Sequence, residues 1–113
     1  MPVDKTLLSG STSLLILKLL SEKDMYGYEM IETLEKRSEN VFELKAGTLY
    51  PLLHNLVSQG FLSCYEEDAG GKVRKYYHIT VEGLRRLKDK EKEWKEYANA
   101  MIHVLGGVIY EGI

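Results

Sequence analysis

A pair of adjacent glycines constrains the fold of this chain more than any other feature of its sequence. Gly70 and Gly71 separate two runs rich in aromatic and β-branched residues, FLSCY before them and VRKYYHIT after them. Glycine readily adopts the positive φ that a tight turn between antiparallel strands requires. The segment therefore predicts a β-hairpin.

Two segments with helical periodicity come early in the chain. LLILKLL, which begins at Leu14, is apolar on nearly every side, as is typical of a helix buried in the middle of a small domain. From Tyr26 to Glu39 the apolar residues fall on one side and the charged residues on the other. That pattern predicts an amphipathic second helix.

A third helix is predicted in GTLYPLLHNLVSQGF, from Gly47 to Phe61. Pro51 is expected in its first turn, where a missing N–H costs little, and Gly60 is expected to end it. One face of this helix is apolar, because four leucines recur at spacings of three and four: Leu49, Leu52, Leu53 and Leu56.

The opposite face of the third helix is small, polar and almost uncharged. Solvated helix faces usually carry Glu, Lys and Gln, so this composition favours contact with another surface, with an ordinary solvated face as the alternative. Small side chains permit a close approach, and His, Asn, Tyr and Ser can donate to phosphates or base edges. We assign nucleic-acid contact to this face and to the lysine before it: Lys45, Gly47, Thr48, Tyr50, Pro51, His54, Asn55 and Ser58.

Basic residues follow the glycine turn, and they suit contact with a phosphate backbone. Lys72, Arg74 and Lys75 lie close together, although three carboxylates on the incoming strand partly cancel their charge. A solvated charged edge that prevents strand aggregation is the alternative interpretation. We assign the three cations to contact with the DNA backbone.

A long helix is predicted from Val81 to about Leu105, capped at its start by Thr80. Its apolar residues alternate at spacings of three and four, and so small a domain cannot cover the whole seam. The seam therefore predicts a dimer interface, which continues toward Val108 and consists of Leu84, Leu87, Glu91, Trp94, Ala98, Met101 and Leu105.

Three helices, a hairpin and a long helix, in this order, are the arrangement of a winged helix-turn-helix. We expect a mainly α fold with a small β-hairpin. The winged helix-turn-helix DNA-binding domain is expected at residues 1–80 and the C-terminal dimerisation helix at residues 81–113. The third helix is the one expected to enter a DNA major groove.

Composition and motif spacing argue against several classes of protein. The longest apolar run is far shorter than the roughly 20 residues of a membrane span, and no signal peptide is recognisable, so a cytoplasmic location is expected. A single cysteine, Cys64, fits a reducing compartment. The histidines share no metal-ligand spacing, and no phosphate-binding glycine loop occurs. We therefore expect no enzyme activity, no catalytic residues, no cofactor and no metal site.

Three motifs together resemble the PadR family of bacterial and archaeal transcriptional regulators. They are YGYEM at Tyr26 to Met30, GTLYPLLHNL at Gly47 to Leu56 and GKVRKYYHITVEG at Gly71 to Gly83. The resemblance implies a homodimeric winged-helix repressor whose C-terminal helix forms the dimer interface. It also implies that TLYP belongs to the recognition helix and RKYY to the basic wing.

Two positions depart from the pattern of the family. Val73 stands where many members have a proline, and Asn55 stands where many members have an arginine. The first change removes a rigid residue from the wing, and the second removes a cation from the recognition helix. Both weaken the phosphate contacts that the resemblance implies.

Trp94 is by default a core or interface residue, since it lies on the inner stripe of the long helix. In a symmetric dimer, two such indoles would approach each other across the two-fold axis and leave a slot for a flat aromatic compound. Trp94 also resembles the interface tryptophan of the multidrug-binding members of the family, which implies a ligand site. Tyr97 and Ala98 are assigned to the same site.

These features favour a dimeric DNA-binding repressor that is relieved by a small effector, for which a flat aromatic compound is the candidate. Two-fold symmetry of the protein implies a pseudo-palindromic operator as its double-stranded DNA partner. No membrane partner is expected. The alternative is a winged-helix module that binds another protein through the third helix and does not contact DNA.

Overall fold

The computed structural model describes residues 8–107 of the chain. The predicted order of three helices, a hairpin and a long helix is confirmed. None of the helices in this part is long and apolar enough to cross a membrane. The elements are α1 (Thr12–Glu22), β1 (Met25–Tyr26), α2 (Gly27–Arg37), α3 (Ala46–Ser58), β2 (Leu62–Ala69), β3 (Lys72–Ile79) and α4 (Val81–Leu105).

The sheet has β3 at its centre, with β1 and β2 paired antiparallel on either side. Gly70 and Gly71 have φ angles of 63° and 86°, which are the positive values expected for the turn between β2 and β3. The sequence pattern did not reveal β1, a two-residue strand that pairs with Tyr76 and Tyr77. The hairpin of β2 and β3, which we call the wing, is therefore joined through β1 to the connection between α1 and α2.

One hydrophobic core holds the helices against the inner face of the sheet. α1 contributes most to it and is apolar on nearly every side, as predicted, with Ile16 and Leu17 fully buried. Burying each such side chain stabilises the fold by about 1.5–3 kcal/mol. The other elements contribute Met25, Met30, Leu34, Leu49, Leu53, Leu56, Leu62, Tyr77, Ile79 and Leu87.

The start of α3 differs from the prediction. The helix begins at Ala46, with Lys45 as its N-cap, so Pro51 is its sixth residue and the prediction of a first-turn proline is wrong. Because proline has no N–H, the carbonyl of Gly47, four residues earlier, lacks its usual helical partner. Both residues are exposed, so this carbonyl faces solvent on the outer side of the helix.

The predicted end of α3 at Gly60 is confirmed. Gly60 has a φ of 82°, and its N–H donates to the Val57 carbonyl at 3.0 Å. The N–H of Phe61 donates to the Leu56 carbonyl at 2.9 Å. These two bonds are the pattern of a Schellman motif, which ends a helix and redirects the chain, here into β2.

Thr80 caps α4 as predicted, since its side-chain oxygen accepts from the N–H of Gly83 at 3.0 Å. The same hydroxyl donates to the Gly60 carbonyl at 2.7 Å, and the N–H of Thr80 donates to the Phe61 carbonyl at 3.1 Å. Gly83 approaches so closely that a Cβ there would lie 2.1 Å from the Phe61 carbonyl oxygen. The start of α4 is therefore held directly against the segment that ends α3.

We expect Gly83→Ala to lower the free energy of unfolding by about 1–3 kcal/mol, because the added methyl overlaps backbone that cannot move without breaking the Thr80 cap. Gly47→Ala is the matched control, since a Cβ at that helical position meets nothing within 4 Å. Its stability should stay unchanged or rise by up to about 1 kcal/mol. Urea denaturation at one protein concentration measures both, and equal stability of the two variants would contradict the close packing at Gly83.

Candidate nucleic-acid interface

The outer face of α3 lies on the surface, opposite the fully buried side chains of Leu49 and Leu53. The leucine stripe holds the helix in the core while this face remains accessible. Leu52, the fourth member of the predicted stripe, is only partly buried. All the residues assigned to contact on this helix and its N-cap are exposed: Lys45, Gly47, Thr48, Tyr50, Pro51, His54, Asn55 and Ser58.

Tyr50 is the most constrained of these side chains. A Cβ at Gly27 would lie 2.4 Å from its hydroxyl oxygen, so the Tyr50 ring lies directly against the start of α2. Burial raises the pKa of Tyr77, and the nearby Cys64 and Tyr50 raise it further. Tyr50 therefore lies on the side of α3 that faces the wing.

Lys45, the one cation assigned to the start of α3, is paired within the chain. Its ammonium lies 2.6 Å from a carboxylate oxygen of Glu43. That hydrogen bond raises the pKa of Lys45, and the charges of Glu43 and Glu35 act in the same direction. The positive charge is thus largely balanced before any partner arrives.

The basic residues of the wing do not form one patch. Successive side chains of a strand alternate between faces, so Lys72 and Arg74 lie on the outer face of β3 and Lys75 lies on the inner face with Tyr77. The guanidinium of Arg74 stacks over the Tyr26 ring at 4.4 Å, whereas the Lys75 ammonium is 5.9 Å from the centre of the Tyr77 ring. The three cations, which lie close together in the sequence, are therefore divided between the two faces of β3.

Three tyrosines form a contiguous aromatic cluster on the outer face of the sheet. The rings of Tyr65 and Tyr76 stack with centroids 5.7 Å apart, and Tyr26 meets Tyr76 edge-on at 5.5 Å. Arg74 continues the cluster through its contact with Tyr26. The basic and aromatic RKYY segment therefore also has a structural role, because it holds the wing to β1.

Asp24, which the sequence did not single out, is the residue before β1 and contacts both strands of the wing. One carboxylate oxygen lies 2.8 Å from Nδ1 of His78, and the other accepts from the Tyr65 hydroxyl at 2.7 Å. Burial alone would raise the pKa of Asp24, but the bonds to His78 and Tyr65 outweigh it and lower the pKa. The hydrogen bond from Tyr65 to Asp24 raises the pKa of Tyr65 to about 12.

The long helix carries an exposed apolar side. Trp94 is 49% exposed and Tyr97 59%, although both are large aromatic side chains. Leu87 does not belong to this surface: it is 5% exposed and packs in the core of its own chain, because α4 lies against α1 there. Val108 is outside the described residues. The remaining seam residues are exposed or partly buried: Leu84, Glu91, Ala98, Met101 and Leu105.

Within residues 8–107, no cluster of three or more His, Cys, Asp or Glu side chains could hold a metal ion. Cys64 is a free, exposed thiol. The polar surface that the fold concentrates is instead the outer face of α3, beside the wing. A three-helix unit with an antiparallel wing and an exposed third helix defines a winged helix-turn-helix protein.

Comparison with known proteins assigns the chain more narrowly. Residues 16–89 match the transcriptional regulator PadR-like family, and the chain belongs to that family. It is 38% identical to an uncharacterised protein of Lysinibacillus sphaericus over 83% of this chain and 87% of the relative. The transcriptional regulator Rv3488 of Mycobacterium tuberculosis is 29% identical to this chain, and the match covers 81% of this chain and 80% of the relative. The crystal structure of a PadR family transcriptional regulator from Eggerthella lenta has a TM-score of 0.80 and 35% identity, covering 91% of this chain and 88% of that one.

The lowered pKa of Asp24 predicts a pH-dependent contribution to stability. A carboxyl whose pKa falls on folding stabilises the protein above its unfolded pKa of about 3.9, and this stabilisation is lost as pH falls through the folded value. Asp24 is 34% exposed, so solvent screening limits the effect, and we expect Asp24→Asn to cost about 1 kcal/mol at pH 7. Urea denaturation should show the two proteins converging in acid. A difference that persists unchanged at low pH would contradict the charged interaction.

Proposed function

We propose that the chain is a homodimeric repressor that binds a pseudo-palindromic operator through α3. The observation that supports this best is the outer face of α3, which is exposed and carries no charge beyond its N-cap. A solvated helix would carry Glu and Lys there. Membership of a family of transcriptional regulators supports the same interpretation.

In the proposed complex α3 lies in the major groove, which is wide enough for one helix. His54 and Asn55 reach base edges, because both side chains are exposed on the outer face. Gly47 lets the backbone approach closely, since nothing else occupies the space beside it. Lys72 and Lys75, at the end of the wing, contact the flanking phosphates.

We assign dimerisation to α4 and DNA binding to the preceding residues, with the division at residue 80. The helix has 25 residues, and it packs on the core through Leu87 before its exposed apolar side extends toward Leu105. A second copy of the same helix would cover that side across a two-fold axis. The two recognition helices would then meet half-sites roughly 34–36 Å apart.

We assign the effector site to the same interface, at Trp94, Tyr97 and Ala98. Exposed aromatic rings paired across a two-fold axis would take a flat aromatic compound between them. The compound would act by favouring one angle between the two winged domains, which is a shift between existing states. Trp94 is the one tryptophan of the chain, so a planar compound that quenches its fluorescence should also lower DNA affinity. Quenching without any change in DNA affinity would contradict the effector role.

Substitutions on α3 and on the wing should affect DNA binding differently. His54→Ala or Asn55→Ala should change which operator sequence is preferred, by about 1–3 kcal/mol at the contacted base pair. Lys75→Ala should weaken binding equally for all sequences and reduce the salt dependence by about one contact per protomer, or two for the bound dimer. Gel shifts with randomised duplexes measure both effects. A uniform loss of affinity in His54→Ala would contradict the placement of α3 in the groove.

The nearly uncharged α3 face would also suit a protein partner, and ionic strength distinguishes the two. DNA binding releases counterions and weakens steeply as salt rises. A protein contact through α3 would change little with salt. A complex that is insensitive to salt would therefore favour the protein-interaction alternative.

A further inference from the structure

A groove of about 330 Å³ runs along the side of α3, between its C-terminal half, the start of α1 and the second and third turns of α4. We call it the α3–α4 groove. No carboxylate lines it. Its polar lining residues are Ser13, Asn55, Ser58, Gln59, Arg86 and Lys90.

The two cations of this groove have no carboxylate partner. Arg86 and Lys90 take part in none of the ion pairs found within residues 8–107, in contrast to Lys23, Lys45 and Arg85. The guanidinium of Arg86 lies 5.5 Å from the centre of the Phe61 ring, which fixes its direction without balancing its charge. Lys90 is partly buried and follows one helical turn later. The groove is therefore an uncompensated positive site.

The helix backbone that carries these cations has a fixed position relative to α3. α4 starts with Thr80 bonded to the carbonyls of Gly60 and Phe61, directly after the end of α3. Gly83 closes the contact against the Phe61 carbonyl. Arg86 lies one turn beyond that junction, so the position of its backbone relative to α3 cannot change without breaking the junction.

The groove lies on the side of α3 away from the wing. Tyr50 lies on the wing side of α3, because it contacts Gly27 and is close enough to Tyr77 of the wing to raise the pKa of that residue. Asn55 follows Tyr50 by five residues in α3. At about 100° per residue, its side chain points about 140° around the helix axis from that of Tyr50. Cations thus stand on both sides of the recognition helix, with the wing on one side and the groove on the other.

We propose that Arg86 and Lys90 bind phosphate groups of the DNA strand that borders α3 on the side away from the wing. The inference rests on the proposed DNA binding and adds a second backbone contact to it. A helix that fills a major groove has a sugar-phosphate backbone on either side. Gln59, which lines the same groove, donates to that backbone beside the two cations.

The test uses the double variant Arg86→Gln/Lys90→Gln. The matched control is Lys88→Gln/Lys92→Gln, which removes the same charge from a different side of α4, about 200° around the helix. Those lysines line a separate depression, with Glu91 and Lys95. Both proteins are titrated by fluorescence anisotropy with two duplexes, one from the region upstream of the gene and one of unrelated sequence, over a range of sodium chloride concentrations.

The slope of log K against log salt should become shallower in the groove variant by about 1.8 per protomer, or about 3.6 for the bound dimer, since each phosphate contact contributes about 0.9. The change should be the same for both duplexes, and the control should keep the slope of the wild type. Equal slopes for the groove variant and the control would overturn this inference alone. Absence of salt-dependent DNA binding by the wild type would overturn the proposed function as well.

Two further measurements exclude other uses of the groove. Sedimentation should show the same oligomeric state for the wild type and the groove variant. A changed oligomeric state with an unchanged slope would assign the groove to the partner subunit and overturn the inference. Binding of inorganic phosphate is measured without DNA at constant ionic strength. If phosphate binds the wild type but not the groove variant, and the salt slope of DNA binding is unchanged in that variant, the groove is a site for a free anion and the inference is overturned.

Discussion

The carbonyl of Phe61 connects the two functional helices of this protein. It accepts from the N–H of Thr80, and it leaves room only for hydrogen on the α-carbon of Gly83. The end of α3 and the start of α4 therefore occupy a fixed geometry. If the apolar side of α4 forms the dimer surface, as proposed, the spacing of the two recognition helices depends on this junction. An effector that changes the packing of α4 would change that spacing directly.

The charge distribution explains how a chain with a net charge of −2 can suit a polyanion. Lys45 is neutralised by Glu43, and Arg74 is held on the Tyr26 ring. Of the cations assigned to DNA contact, Lys72 and Lys75 on the wing remain available, and the pair in the α3–α4 groove lies apart from them. In this account the uncharged face of α3 supplies fit and sequence readout, while affinity comes from phosphate contacts on both sides of it.

Most of the fold was predictable because its signals are local. The leucine periodicity of α3, the glycine turn at Gly70 and the Thr80 cap each depend on a few neighbouring residues, and each is confirmed. β1 was missed, because two residues form a strand only when β3 is beside them. Leu87 was assigned to the dimer seam since its spacing fits that seam, but it is buried in the core of its own chain.

The candidate site was less predictable than the fold. The exposed face of α3 follows from the helical wheel, whereas the pairing of Lys45 and the stacking of Arg74 depend on the tertiary structure. Asp24 looked like an ordinary turn residue, and its partners Tyr65 and His78 are far away in sequence. The cations of the α3–α4 groove were overlooked, because the sequence signal of α4 is dominated by its apolar seam.

Gly47→Leu tests whether the outer face of α3 contacts DNA. The leucine side chain would point into open space within the chain, so folding should be unaffected. In a major groove it would meet the bases or backbone at close range. We expect wild-type denaturation together with a loss of operator binding of at least tenfold, or about 1.4 kcal/mol. Operator binding equal to that of the wild type, by a normally folded variant, would contradict the account.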